Sequence, residues 1–181
     1  MLDRLLTRLR EAHDLPTTIG DSEREQTFLA AYFKKYPRME RLFGTNPGHI
    51  QRVYTESRGS EHASTVVKFG KVAISLSEKF WKEDATFQHS IFTHEVGHHL
   101  IDTIGLQKMI DEFKKQHDVD IWTLKPSTMD MPFQVYSFEE AFAETFSVLV
   151  VKDSHGLNLL KQHWPKWQAL ISHAATQHGL L

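Results

Sequence analysis

The chain contains no cysteine. Disulfides, cysteine-ligated zinc ribbons and thiol catalysis are therefore excluded, and folding needs no oxidising compartment. No run approaches the roughly 18 apolar residues of a membrane-spanning helix, so a soluble protein without a membrane partner is expected. Charge of one sign is also lacking: the formal net charge is −2 and the pI about 6.6. That balance speaks against nucleic acid as a partner. Six prolines and nine glycines are scattered, never gathering with serine into a linker, and no repeat divides the chain. With 181 residues and 40% hydrophobic content, the expectation is a single domain over 1–181 with a substantial core. The first ten residues alternate charge with leucine at helical intervals, which is an amphipathic helix and not the apolar core of a signal peptide. The expected location is the cytoplasm, or outside the cell if a signal has been removed.

What is present is histidine, 12 in all, and one pair of them is spaced for a metal. His94-Glu95-Val96-Gly97-His98 has the H-E-x-x-H spacing. Four residues of α-helix turn the chain by about 40° and rise about 6 Å, so both imidazoles point the same way and can share one zinc ion. Glu95 projects about 100° round the helix from His94, where it can act as general base on a metal-bound water. The spacing alone arises by chance in about one chain in twenty of such composition, so its context decides. From Phe87 to Ile104 the residues Ile91, Phe92, Val96, Leu100, Ile101 and Ile104 recur at helical intervals, and Gly105 stands where the helix should end. The motif thus lies mid-helix, as a shared metal requires.

A catalytic zinc takes three protein ligands and leaves one position open. The third is sought in Ser137–Val151, a helix by its length and by the stripe Phe138, Phe142, Phe146 and Leu149. Glu140 and Glu144 sit one turn apart on this mostly apolar segment, where carboxylates need compensation. Glu140 is expected to bind the metal, and Glu144 to accept a hydrogen bond from the outer nitrogen of a ligand histidine, fixing its tautomer. A competing use exists for Glu140, because Ser137-x-x-Glu140 also fits a capping box; Glu144 or Glu139 would then have to be the ligand.

Together these segments resemble the gluzincin metallopeptidases, in which a glutamate on a later helix completes H-E-x-x-H. More narrowly, Thr93-His-Glu-Val-Gly-His98 followed by Glu140-Ala-Phe-Ala-Glu144-Thr-Phe146 is similar to the catalytic domain of anthrax lethal factor and the Pro-Pro endopeptidases. The resemblance spans about 60 residues, from Thr93 to Lys152. It implies a zincin-like fold with a small sheet and a zinc-binding active-site helix, Zn2+ as cofactor, Glu140 as ligand, Glu144 as support and a protein or peptide substrate. One position departs from the pattern. The group's tyrosine seven residues before the ligand glutamate is Phe133 here. Tyr136 is the candidate for that catalytic role, with a packing aromatic as the alternative.

The remaining chain reads as α+β, mostly helical. Further helices are expected at Leu2–His13, Glu23–Lys35, Gln107–His117, Leu157–His163 and Lys166–His178. Strands are expected at Ile50–Thr55, and at Thr65–Phe69 and Val72–Leu76 flanking Gly70-Lys71 in a hairpin. By the zincin resemblance, Val72–Leu76 is the candidate edge strand for pairing with substrate, against the plainer reading that it covers core. Lys34, Lys35, Arg38 and Arg41 form a local basic cluster, read as a solvated helix end around Pro37. The other histidines, His89 and His99 among them, share no ligand spacing with a supporting group, and Asp102 reads as a surface carboxylate. The function expected is a zinc-dependent endopeptidase; the alternative is a catalytically silent, zinc-stabilised binding or structural protein that keeps a zincin fold.

Overall fold

Five α-helices and three strands occur among the residues that the structure, a computed structural model, describes: 19–57, 61–103 and 138–181. The class is α+β, mostly helical with a small three-stranded sheet. Two compact units divide the chain, Met1–Phe80 and Trp81–Leu181. No described helix is long and apolar enough to cross a membrane.

In the first unit, α1 (Glu23–Lys35) begins at Ser22, whose backbone N–H donates to the Glu25 carboxylate at 2.7 Å. The hydroxyls of Ser22 and Thr55 donate to the same carboxylate. Glu25 is 2% exposed, so these donors are what make its burial tolerable. They hold its carboxyl below the usual value although burial alone would raise it. Phe28, Tyr32 and Phe33 form the buried face of α1. Phe28 meets Phe80 edge-on at 5.2 Å, and Phe33 meets Phe43 at 4.9 Å. A 3-10 helix, Pro37–Leu42, follows. Lys34, Lys35, Arg38 and Arg41 are all exposed around this helix end, as expected.

The sheet order is β1-β3-β2, with β1 Ile50–Glu56, β2 Ala63–Lys68 and β3 Lys71–Ser77. β3 pairs parallel with β1 and antiparallel with β2. This corrects the expectation that Val72–Leu76 is an edge strand. Its backbone is occupied on both sides, and the run from Ile74 to Ser77 is buried on both faces, as in a central strand. Beyond β1, isolated bridges from Gly20 to Val53 and from Phe43 to Ile50 extend the sheet, which leaves β2 as its outer strand among the described residues. The hairpin turn is also one residue earlier than expected. Lys68 pairs with Lys71, so the two-residue turn is Phe69-Gly70, with φ of 53° and 73°. Two positive φ values match the strand twist, but for phenylalanine the left-handed region costs about 1–2 kcal/mol.

The second unit contains α2 (Ala85–Thr103), α3 (Phe138–Val151), α4 (Ser154–His163) and α5 (Pro165–Gln177). Asp84 starts α2 by accepting from the N–H groups of Thr86 and Phe87 at 2.8 and 3.0 Å. Phe92, Val96 and Leu100 of α2, Phe142 and Phe146 of α3, Leu160 of α4, and Trp167 and Ile171 of α5 supply the core. Trp167 Nε1 donates to Thr145 Oγ1 at 2.9 Å, satisfying two polar groups inside it. The expected helices at Leu2–His13 and Gln107–His117 lie outside the described residues.

Candidate metal centre

α2 and α3 pack antiparallel, because contacts that advance along one helix retreat along the other. Ser147 Oγ donates to the Ser90 carbonyl at 2.8 Å, His94 faces Glu144, Gly97 faces Ala143, and His98 faces Glu140. The interface is apolar around Phe92, Val96, Phe142 and Phe146, which leaves one flank for His94, His98, Glu140 and Glu144, all only partly buried.

At the centre of this contact the helices touch backbone to backbone. A Cβ added to Gly97 would lie 2.8 Å from Ala143 Cα and 3.2 Å from its carbonyl oxygen. Glycine inside a helix is unfavourable by about 1 kcal/mol relative to alanine, and here the close approach explains it. Gly97 lies between the two histidines in sequence, and Ala143 between the two glutamates. This close approach is thus a point about which the four polar groups are arranged.

Nε2 of His94 and Nε2 of His98 lie 3.0 Å apart. Glu140 extends one carboxylate oxygen to 3.2 Å from His94 Nε2 and the other to 3.4 Å from His98 Nε2. Ligands about 2.0–2.1 Å from a tetrahedral zinc are separated from one another by about 3.3 Å. The two nitrogens are close to that spacing, and each Glu140 oxygen stands at that distance from one of them, so a carboxylate oxygen can complete a triangular face with the imidazoles. The three residues make up a metal-competent group, each offering one ligand atom within 4.8 Å of the others. With the Glu140 side chain 41% exposed, the group opens to solvent on that side.

Behind the triangle, His94 Nδ1 donates to Glu144 at 2.9 Å. That bond fixes the ring and leaves Nε2 for the ligand group. Glu95 is buried, at 8% exposure, and close enough to His94 to favour its positive charge. Burial opposes charge on His94, but Glu140, Glu144 and Glu95 outweigh it and push the imidazole up to about 10. Glu140 is held well below the usual carboxylate range, chiefly by His94 and then by His98. The cluster attracts a cation, and its donors, two imidazole nitrogens and a carboxylate oxygen, suit zinc.

The sequence-derived set His94, His98, Glu140 and Glu144 is thus brought together. Glu139 is exposed, and Glu140 directs both carboxylate oxygens at the histidines. His89 and His99 are buried and stand outside the ligand group. Tyr136, Phe133 and Ser137, together with the side chain of Asp102, lie outside the described residues. Gly97, Ala143 and the Ser90–Ser147 tie were missed by sequence reasoning; a glycine in mid-helix was the signal available for the first. The chain has no significant match among protein-family models, curated proteins or solved structures.

Proposed function

We propose that the chain is a zinc-dependent endopeptidase with a zincin-type fold, His94, His98 and Glu140 being the zinc ligands. The observation that carries this reading is the donor cluster: two imidazole nitrogens of H-E-x-x-H, 3.0 Å apart, with one Glu140 oxygen 3.2 Å from the first and the other 3.4 Å from the second. Zinc bound there supplies a Lewis acid that polarises a scissile carbonyl and makes water acidic enough to attack near neutral pH. Glu144 keeps His94 in the tautomer whose Nε2 is a lone-pair donor. Glu95 accepts the proton of the attacking water and returns it to the departing amine. It is buried and lies beside His94, whose positive charge it favours. Tyr136, four residues before Glu140, is the candidate to stand in on the leaving-group side for the tyrosine that the resembled group has at the Phe133 position.

The test combines metal analysis with incubation on a diverse peptide library, with and without chelator. Zinc at one equivalent, together with chelator-sensitive peptide cleavage, is expected. Glu95→Gln should retain the zinc and lose cleavage by at least about 10²-fold. Zinc without any cleavage would assign the chain to the silent, zinc-stabilised binding proteins. Full activity of Glu95→Gln would remove the mechanism.

A further inference from the structure

The sheet of the first unit is polarised along its strands. One row runs Phe43, Ile50, Val72, Val67 through successive pairings, and just beyond it lie Lys71, Lys68 and the Phe69-Gly70 turn. The opposite strand ends carry Glu56 and, just outside β2 and β3, Glu61 and Glu78. Lys68 and Lys71 are directly paired across the hairpin, exposed, and without an ion-pair partner among the described residues. Like charges so placed repel, and an anion would relieve them.

Between and beside these lysines the hairpin presents apolar side chains. Phe69 is completely exposed, and Val67 is 62% exposed although it shares a sheet face with buried Val72 and Ile74. Around Gly70, open space surrounds the position of an added Cβ, so the turn projects from the body. Phenylalanine there also occupies a left-handed backbone position that asparagine or glycine would adopt at less cost. Local stability does not account for this residue, and a strained, exposed aromatic is a signal of contact with something else.

We infer that the Lys68-Phe69-Gly70-Lys71 tip is a wedge for an anionic membrane surface. Phe69 and Val67 enter the boundary between headgroups and acyl chains, and Lys68 and Lys71 face the headgroups. A projecting apolar tip collared by cations suits a deformable anionic layer better than a polyanion, which has little use for Val67. The sequence-based expectation of no membrane partner rested on spanning segments, and a peripheral contact needs none. The inference is independent of the proposed peptidase activity.

The test is co-sedimentation of the full chain with phosphatidylcholine vesicles, with and without about 30 mol% phosphatidylserine, at low and high salt. Binding is expected to the anionic vesicles only, and to weaken with salt. Phe69→Asn should reduce partitioning at least about tenfold while leaving the unfolding midpoint unchanged or raised. Lys68→Gln with Lys71→Gln should reduce it about twenty-five-fold, each lysine contributing about fivefold. Equal binding to neutral vesicles, no binding to either, or unaltered binding by Phe69→Asn would overturn the inference. So would capture by polyglutamate or by single-stranded DNA in preference to the anionic vesicles.

Discussion

Gly97 and Ala143 meet with no room for another carbon atom: a Cβ at residue 97 would stand 2.8 Å from Ala143 Cα. Because the obstacle is backbone, Gly97→Ala must push α2 and α3 apart, which separates His94 and His98 from Glu140 and Glu144. An unconstrained helix would gain about 1 kcal/mol from the same change, so the sign is informative. A net loss of about 1–3 kcal/mol in urea unfolding is expected, together with weaker zinc binding by competition with a chromogenic chelator. A stabilised variant with unchanged zinc affinity would show that the helices have slack at this point.

Glu144 acts through His94 and touches neither of the other ligand residues' donor atoms in the hydrogen bonds described. Glu144→Ala should lower zinc affinity about 10–100-fold while the fold is retained, as judged by circular dichroism. Glu140→Ala should lower it further, since a donor is lost outright. Equal affinities for Glu140→Ala and the unaltered protein would mean that the third ligand has been misassigned.

Acid should release the metal. With His94 pushed up to about 10, a proton competes for its Nε2 throughout the neutral range. Zinc binding at pH 7 is expected to displace about one proton, and affinity to fall about tenfold for each pH unit lowered. Calorimetry in buffers of differing ionisation enthalpy reads the proton count. An affinity that stays flat from pH 8 to pH 6 contradicts the electrostatic account of the site.

The Glu25 carboxylate makes a separate prediction for the first unit. Its folded value lies below the ordinary 4.5, so its contribution is fully present above that pH and is lost as pH falls through the depressed folded value. Glu25→Gln should cost about 1–3 kcal/mol at neutral pH. In urea titrations, the gap between the two proteins should narrow below pH 4.5. A gap that is constant down to pH 3 would show that charge has no part in this cap.

Helix positions were legible because burial repeats with the helical period. Phe92, Val96 and Leu100 mark α2, and Glu23–Lys35 has the bounds expected from its stripe. Glu140 and Glu144 were legible for the opposite reason, being carboxylates on an otherwise apolar helix. Strand order was not. The parallel pairing of β1 with β3 is a long-range choice that alternation does not encode, although the small and apolar run Val72-Ala-Ile-Ser-Leu-Ser77 carried the mark of a strand covered on both faces. The hairpin was misjudged by one residue because phenylalanine is an unfavourable occupant of a left-handed turn position. Gly97 was passed over as a free position of the motif, since only the facing backbone gives it meaning.

The two halves of the ligand triangle come from distant parts of the chain. His98 and Glu140 are 42 positions apart, so an ion held by both would close the intervening sequence into a ring. Such a clasp restricts the unfolded chain as a crosslink does, by at most about 4 kcal/mol for a ring of this size. Metal in this site would be a fastening as well as a reagent, and a chelator would loosen the second unit even in a variant that cleaves nothing.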